Sequence, residues 1–413
     1  MKRTLHMEML QNQIMAKLDL SREIEDGELV ELIYQVLEDY AKDIYLPLRM
    51  KMEFGRDLFN AFRKLDILQE LLEDESITEI MINGLENIFV EKKGEIYQYE
   101  KRFVSRKKLE DIAQQIASGC NRTVNEAEPI VDARLPDGSR VNLVLLPVAL
   151  NGPIITIRKF PKEGITMKHL IAWGSISREA AEFLEMLVKA RYNMFISGGT
   201  GSGKTTFLNA LSQFIPEDER IITIEDNAEL RLQSLPNLVR LEARNANMEG
   251  EGRIDIRELI RTALRMRPDR VIVGEVRSAE TIDMLQAMNT GHDGSLSTGH
   301  GNSPKDMIGR LEAMVLMGME LPLTAIRRQI ASGIDVIVHL GRLRDKSRKL
   351  LEVSEVMDYR EGEIHLQTVY RYEETGEESG KIQGVWEKKG ELKHTGKLLA
   401  AGYSSIGKMC NGK

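Results

Sequence analysis

One glycine-rich stretch constrains this chain more than any other, residues 195–206, which read FISGGTGSGKTT. It contains the pattern G-x-x-x-x-G-K-[ST], filled by Gly198, Gly203, Lys204 and Thr205. An apolar strand precedes the pattern, and a helix with apolar residues at helical spacing follows it, which is the context that the pattern requires. Glycines let the backbone come close to an anion, and the helix N-terminus favours negative charge there. The stretch therefore predicts a phosphate-binding loop.

All residues of this loop are candidate nucleotide contacts. They are Gly198, Gly199, Thr200, Gly201, Ser202, Gly203, Lys204, Thr205 and Thr206. Lys204 is expected to bridge the β- and γ-phosphates, and the Thr205 hydroxyl is expected to hold Mg²⁺. A chance glycine-rich turn is the alternative, and the flanking strand and helix argue against it.

Composition places the chain among soluble globular proteins. Its 413 residues are 42% hydrophobic and 29% charged, enough for a sizeable core in two or three domains. No run of eighteen apolar residues is present, and the first residues lack the apolar stretch of a signal peptide. We therefore expect a cytoplasmic protein that reaches a membrane only through a partner.

Cysteine content and charge exclude further classes. Cys120 and Cys410 are too few and too far apart for a disulfide framework or a zinc site, which fits a reducing compartment. The 57 Lys and Arg residues against 64 Asp and Glu give a net charge of −7. This is the wrong sign for a protein whose main work is gripping nucleic acid, although a local basic channel in an oligomer stays open.

Residues 1–62 and 63–160 differ in predicted secondary structure. Residues 1–62 predict a helical N-terminal extension, either a small bundle that only packs or a module that docks a partner. Residues 63–160 predict an α+β domain with turn signals between strand-like runs. Its strands carry three arginines that are either ordinary surface residues or functional: Arg134, Arg140 and Arg158. Residues 161–166, which begin with Pro161, read as a linker.

Residues 167–370 predict a parallel α/β sheet, because strand-like and helical segments alternate. Two buried runs end in acids, at Glu225 and Glu275, where open sheets bind ligands. Glu275 is the expected water-activating base, with a salt-bridged structural glutamate as the alternative. His292 and His300 lack metal-site spacing and are either structural or phosphate-sensing. Residues 371–413 are a weakly patterned C-terminal tail.

Four motifs in this order resemble the secretion-superfamily ATPases of type II and type IV secretion and pilus assembly. They are residues 198–206, 224–229, 272–277 and 292–300. Further stretches are similar to the CpaF-like ATPases of Tad (Flp) pilus systems: residues 131–142, 156–160 and 265–270. The resemblance covers about residues 65–370 and is far more specific than the phosphate loop alone.

The resemblance implies a RecA-like P-loop NTPase domain preceded by an α+β domain, with ATP and Mg²⁺ bound between them in a homohexamer. Gly198 to Thr206 then match the Walker A loop and Glu275 the Walker B glutamate. The remaining matches are the acidic box (Glu225, Asp226 and Glu229), the histidine box (His292 and His300) and the γ-phosphate arginines (Arg140 and Arg158, with Arg134 as a third). Within the acidic box, Glu229 is the expected catalytic and Mg²⁺-holding residue.

The resemblance also implies a function. The chain is expected to be a cytoplasmic motor that hydrolyses ATP to drive Tad pilus assembly through an inner-membrane platform protein, without direct contact with nucleic acid. One alternative is a nucleic-acid translocase of the conjugation type, which the acidic balance disfavours. Another is a nucleotide-dependent scaffold that does not hydrolyse ATP, which would have no need to keep Lys204, Thr205, Glu229 and Glu275 together.

Overall fold

The computed structural model describes residues 2–19, 21–92, 94–159, 164–232, 235–244, 252–405 and 408–409. Contacts divide the chain into two compact units, Met1–Glu163 and Gly164–Lys413. The predicted helical extension and the predicted α+β domain lie in the same unit. Residues 161–163 of the predicted linker lie outside the described residues.

The first unit begins with helices, as predicted for residues 1–62. Its helices are α1 (Lys2–Lys17), α2 (Asp26–Asp43), α3 (Leu48–Arg63), α4 (Ile67–Glu73) and α5 (Arg106–Ser118). The α2 residues Leu29, Ile33, Val36 and Leu37 are buried in one cluster with apolar residues of α1 and α3. The helical N-terminal region is therefore confirmed.

An antiparallel sheet completes the first unit. Its strands are β1 (Ile77–Asn83), β2 (Asn87–Lys92), β3 (Glu95–Gln98), β4 (Ile130–Arg134), β5 (Arg140–Val144) and β6 (Ile154–Arg158), in the order β3-β2-β1-β6-β5-β4. Asn83 and Gly84 lie at the turn between the paired strands β1 and β2. Gly84 has a φ of 78°, which favours glycine at this turn. Alternate strand residues pack on α4 and α5.

The second unit is larger and built on one mixed sheet. Its helices are α6 (Met167–Ala172), α7 (Arg178–Lys189), α8 (Lys204–Ser212), α9 (Ile256–Ala263), α10 (Glu280–Asn289), α11 (Pro304–Gly318), α12 (Leu323–Gly333) and α13 (Gly396–Ala400). Its strands are β7 (Met194–Gly198), β8 (Ile221–Glu225), β9 (Leu238–Glu242), β10 (Arg270–Val273), β11 (Leu296–His300), β12 (Val336–Arg342), β13 (Arg348–Arg360), β14 (Glu363–Glu378), β15 (Lys381–Lys388), β16 (Tyr403–Ser405) and β17 (Lys408–Met409). The last two pair only with each other.

The sheet order is β15-β14-β13-β12-β7-β11-β10-β8-β9. The run from β12 to β9 is parallel, and β13, β14 and β15 are antiparallel. Both faces of the parallel part are covered: Met194 and Ile196 pack with α7 and α8, whereas Phe195 packs with α10 and α11. Two-sided burial explains why β7 and β8 are fully buried apolar runs. Because these strands are parallel, their carboxyl ends lie at one edge of the sheet.

The predicted boundary at residue 370 falls inside β14, because the sheet continues into the predicted tail. Tyr370 and Tyr372 are buried, and the Tyr372 ring lies 5.0 Å from that of Trp386 on β15. Arg371 between them is exposed, and so are the acids Glu374, Glu377 and Glu378 that follow. Asp345 accepts a hydrogen bond from the Ile382 backbone N–H at 3.0 Å and so ties β15 to the β12–β13 turn. Within the described part of the chain, no helix is long and apolar enough to cross a membrane.

Candidate active site

The glycine loop lies at the carboxyl edge of the parallel strands, between β7 and α8. Gly201 and Gly203 have φ angles of 72° and 92°, where glycine is favoured. A Cβ on Gly198 would lie 2.5 Å from the Leu340 carbonyl oxygen of β12. The Ser202 hydroxyl closes the loop by donating to the Gly199 carbonyl at 2.9 Å. The glycines are therefore required by the backbone path and by close packing against β12.

Lys204 is folded back over the loop that precedes it. Its Nζ donates to the carbonyl oxygens of Gly198 at 3.2 Å and Gly199 at 3.1 Å, and lies 3.3 Å from Nδ1 of His300. The side chain is only 8% exposed, and burial lowers the pKa of its amine. Its direct partners among the described residues are neutral, so this buried cation is well placed to bind an anion.

Glu275 follows β10 and lies next to the loop. Its Oε1 is 2.8 Å from Nε2 of His300, and its Oε2 accepts from Nε of Arg277 at 2.7 Å. Because Lys204 can only donate, Nδ1 of His300 accepts and Nε2 carries the proton that points at Glu275. Burial and the charge of Lys204 lower the pKa of His300, which favours this neutral ring. The structure thus joins Lys204, His300 and Glu275 in one chain of contacts.

The acidic segment after β8 lies at the same edge. Glu225 is 3% exposed, and its Oε2 accepts from the backbone N–H groups of Glu229 at 2.8 Å and Leu230 at 2.9 Å. Burial raises the pKa of Glu225 to about 7. Glu225 therefore fixes the backbone that carries Glu229. Asp226, by contrast, points toward Arg277, with 3.8 Å between Oδ2 and Nη1.

Thr205 and Glu229 are the predicted Mg²⁺ residues. Thr205 lies in the first turn of α8, and its hydroxyl makes no hydrogen bond with the described residues. Among those residues, no group of three or more His, Cys, Asp or Glu could hold a metal ion. Mg²⁺ is usually held by one or two side chains together with substrate phosphates and water, and its binding by Thr205 and Glu229 stays a prediction. Thr206 follows Thr205 in the same turn.

His292 is not brought to the loop. It precedes β11, whose first residue pairs with Met194 and whose last residue, His300, pairs with Gly198. The two histidines therefore lie at opposite edges of the parallel sheet. His292 Nδ1 is 3.3 Å from the Ala287 carbonyl oxygen, and the His292 carbonyl accepts from the Ser295 hydroxyl at 2.7 Å. A role for His292 stays a prediction.

Two residues beside the loop were missed by reasoning from the sequence. His339 on β12 is buried, and its Nδ1 lies 2.8 Å from the Ser197 hydroxyl on β7. Burial lowers the pKa of His339. Arg348 at the start of β13 donates from Nε to the Gly201 carbonyl at 2.9 Å. Both residues reach the loop because β12 pairs with β7 and β13 pairs with β12. Neither residue belongs to a local sequence motif that would predict this position.

The predicted arginines lie together in the first unit. Arg134 on β4 is the cross-strand partner of Arg140 on β5, and Arg140 is the partner of Arg158 on β6. Directly paired residues of neighbouring strands point to the same face of a sheet. The three side chains therefore form one row, which ends with Arg158 Nε 3.8 Å from Oε1 of Glu79 on β1.

A glycine loop at the carboxyl edge of a parallel sheet, with a lysine and acids around it, defines a phosphate-binding α/β protein. Residues 62–384 match the family model described as type II/IV secretion system protein, and the chain belongs to that family.

Individual relatives agree with the family match. Rv3659c of Mycobacterium tuberculosis, named for conjugal transfer, is 37% identical over 310 residues, which cover 74% of this chain and 87% of that protein. The type IV secretion system protein VirB11 of Brucella abortus is 32% identical over 304 residues, covering 67% of this chain and 84% of VirB11. The X-ray structure of the Legionella pneumophila ATPase DotB has a TM-score of 0.52 at 21% identity, covering 71% of this chain and 80% of DotB. That likeness concerns the fold, a mixed α/β chain.

Proposed function

We propose that this chain is a homohexameric ATPase motor of a Tad (Flp) pilus system, which acts in the cytoplasm on an inner-membrane platform protein. The observation that carries the proposal is the chain of contacts from Lys204 through His300 to Glu275 at the glycine loop. Family membership supports hydrolysis of ATP. The Tad assignment rests on the motif resemblance.

In the proposed reaction, the loop N–H groups and Lys204 bind the β- and γ-phosphates, and Glu275 accepts a proton from the attacking water. Thr205 and Glu229 would hold Mg²⁺, which neutralises charge on the transferred phosphoryl group. When a phosphate attracts Lys204, the Nδ1 atom of His300 loses its donor. Because Nε2 of the same ring contacts Glu275, phosphate binding at Lys204 would alter the hydrogen bond between His300 and Glu275.

The arginine row supports a second part of the proposal. The row formed by Arg134, Arg140 and Arg158 places three positive charges on one face of the sheet. Like charges directly opposite one another on neighbouring strands are unfavourable, so an added anion would offset part of their repulsion. We assign the γ-phosphate as that anion, with Arg140 and Arg158 as the principal contacts. An arginine that reaches the transferred phosphoryl group contributes roughly 10³- to 10⁵-fold in rate. The rate of ATP hydrolysis would then depend on a movement of the first unit that brings Arg140 and Arg158 to the γ-phosphate.

The proposed motion follows from the assignment of ATP binding and of the arginines to different domains. We assign residues 167–370 to a RecA-like domain that binds ATP and residues 63–160 to the domain that supplies the arginines. Each ATP cycle would move one domain against the other about the linker at 161–166, a hinge-type motion. In a hexamer, that motion would be passed to the platform protein.

A conjugation-type nucleic-acid translocase is the second candidate, because Rv3659c is named for conjugal transfer. The net charge of −7 disfavours it. A protein that neutralises several DNA phosphates loses affinity steeply as salt rises. DNA binding with such a salt slope would favour the translocase, and no binding at low salt would exclude it.

The proposal is tested by measuring nucleotide binding and phosphate release for the wild type, Lys204→Ala, Glu275→Gln and the exposed control Glu217→Gln. Lys204→Ala should lose binding. Glu275→Gln should bind normally but lose about 10²- to 10⁴-fold in turnover, and Glu217→Gln should match the wild type. Normal turnover by Glu275→Gln would refute the base assignment. Wild-type binding without turnover at any protein concentration would favour the scaffold alternative.

A further inference from the structure

An arginine from the antiparallel part of the sheet lies on the glycine loop. Arg348 begins β13, and its Nε donates to the carbonyl oxygen of Gly201 at 2.9 Å. Its Cδ packs against Gly203, where an added Cβ would lie 3.3 Å away. Arg348 is therefore in contact with the two loop glycines that have left-handed backbone conformations.

The contact fixes one peptide plane of the loop. The Gly201 carbonyl and the Ser202 N–H belong to the same trans peptide and point in opposite directions. Arg348 binds the carbonyl end, and the N–H end donates to the Gly199 carbonyl at 3.3 Å. With both ends held, this plane cannot rotate without breaking a hydrogen bond. The loop is thus held in its turned conformation from outside as well as by its own sequence.

The guanidinium also brings a positive charge that no acid in the described part of the chain neutralises. Arg344, in the same β12–β13 turn, is paired with Glu374 at 2.7 Å and Glu377 at 3.1 Å. Arg348 is exposed and makes no ion pair with the described residues. Only its Nε has a hydrogen-bond partner there, so both Nη groups of the planar guanidinium stay available at the loop.

We propose that Arg348 is a positioning residue for nucleotide binding, which holds the Gly201–Ser202 peptide and adds a positive charge beside the bound polyphosphate. This inference rests on the proposed function, because it needs a nucleotide in the glycine loop. Its effect falls on affinity and not on the chemical step, since Arg348 contacts the loop and not Glu275 or His300. A guanidinium suits this role better than an ammonium, because its planar fork can serve a carbonyl and a phosphate together.

The test compares Arg348→Ala with Arg342→Ala, which replaces the cross-strand partner of Arg348 at the end of β12. Arg342 is also exposed and makes no hydrogen bond or ion pair with the described residues, so both variants lose one positive charge but only one loses the Gly201 contact. Affinity is measured by titrating a fluorescent ADP analogue at fixed salt, and kcat and KM by phosphate release. Arg348→Ala should weaken binding and raise KM by about tenfold, as for one charge-assisted hydrogen bond, with kcat within about threefold. Arg342→Ala should change each less than about twofold.

Arg348→Lys keeps the charge without the fork and should recover part, not all, of the affinity. Equal affinities for Arg348→Ala and Arg342→Ala would overturn the inference, as would a loss of kcat at unchanged affinity. Full recovery by Arg348→Lys would reduce the role to charge alone and would overturn the positioning role. If Lys204→Ala binds the analogue as tightly as the wild type, the proposed function fails instead. A normal thermal midpoint for Arg348→Ala separates an affinity effect from misfolding.

Discussion

Nε2 of His300 lies 2.8 Å from Oε1 of Glu275. The other nitrogen of the same ring lies 3.3 Å from Nζ of Lys204, so one imidazole contacts both the predicted phosphate-binding lysine and the proposed base. Such an arrangement lets phosphate binding alter the surroundings of the base without any movement of the backbone.

Replacing this ring should therefore impair turnover more than binding. His300→Ala is expected to lower kcat by about 10²-fold, the lower end of what positioned acid–base groups contribute. Nucleotide affinity should change by less than about threefold, because Lys204 stays available. His365→Ala, an exposed histidine of β14, is the matched control and should behave as the wild type. An unchanged kcat in His300→Ala would show that His300 has no role in turnover.

The pH profile of turnover should report the same ring. Burial and Lys204 lower the pKa of His300 from the ordinary imidazole value of about 6.5. Protonation would place a second donor against the Lys204 ammonium, so activity is lost as pH falls through the lowered pKa. We expect an acidic limb in kcat/KM below about pH 6.5 that is absent from the residual activity of His300→Ala. An acidic limb that persists unchanged in the variant would assign it to another group.

Glu225 should make the protein less stable as pH rises. Its folded pKa of about 7 exceeds the unfolded value of 4.5, so the folded state binds the extra proton in this window. The free energy of unfolding should therefore decline by about 3 kcal/mol between pH 4.5 and pH 8 from this group, at 1.36 kcal/mol per pKa unit. Glu225→Gln should remove that decline when denaturant unfolding is measured without nucleotide across this range. The exposed control Glu363→Gln should keep it, and equal slopes for all three proteins would contradict the assignment.

The arginine row should be needed for hydrolysis and not for folding. Arg140→Ala and Arg158→Ala are each expected to reduce turnover by roughly 10³-fold or more. ADP affinity should stay within a few-fold, because ADP lacks the γ-phosphate that the row is proposed to contact. Arg122→Ala removes an exposed arginine from the same unit and serves as the control. Normal turnover in both row variants would show that the arginine assignment is wrong.

Most of the loop edge of the sheet was predictable from the sequence because Gly198, Glu225 and Glu275 each lie at or just after the end of a short apolar run. Parallel strands place their carboxyl ends together, so these three residues meet without any further information, whereas His300 ends the polar strand β11, which no apolar run marks. His292 shows the limit of this reasoning. A histidine eight positions before His300 lies beyond the far end of β11, a strand that spans about 13 Å at 3.3 Å per residue.

Arg348 and His339 show what local motifs miss. Gly201 and Arg348 are 147 positions apart, and they meet because β12 pairs with β7 and β13 then folds back antiparallel. The sequence contains no signal for that register. The same hairpin continues into β14 and β15, where the exposed acids that follow Tyr372 obscure the strand pattern.

We propose that hydrolysis needs an assembled ring with shared sites. The measurement is ATP turnover per chain as a function of protein concentration, with light-scattering mass followed in the same samples and Lys204→Ala as the blank. Activity per chain should rise steeply as the mass approaches that of a hexamer. Constant activity per chain in a monomer would rule out shared sites.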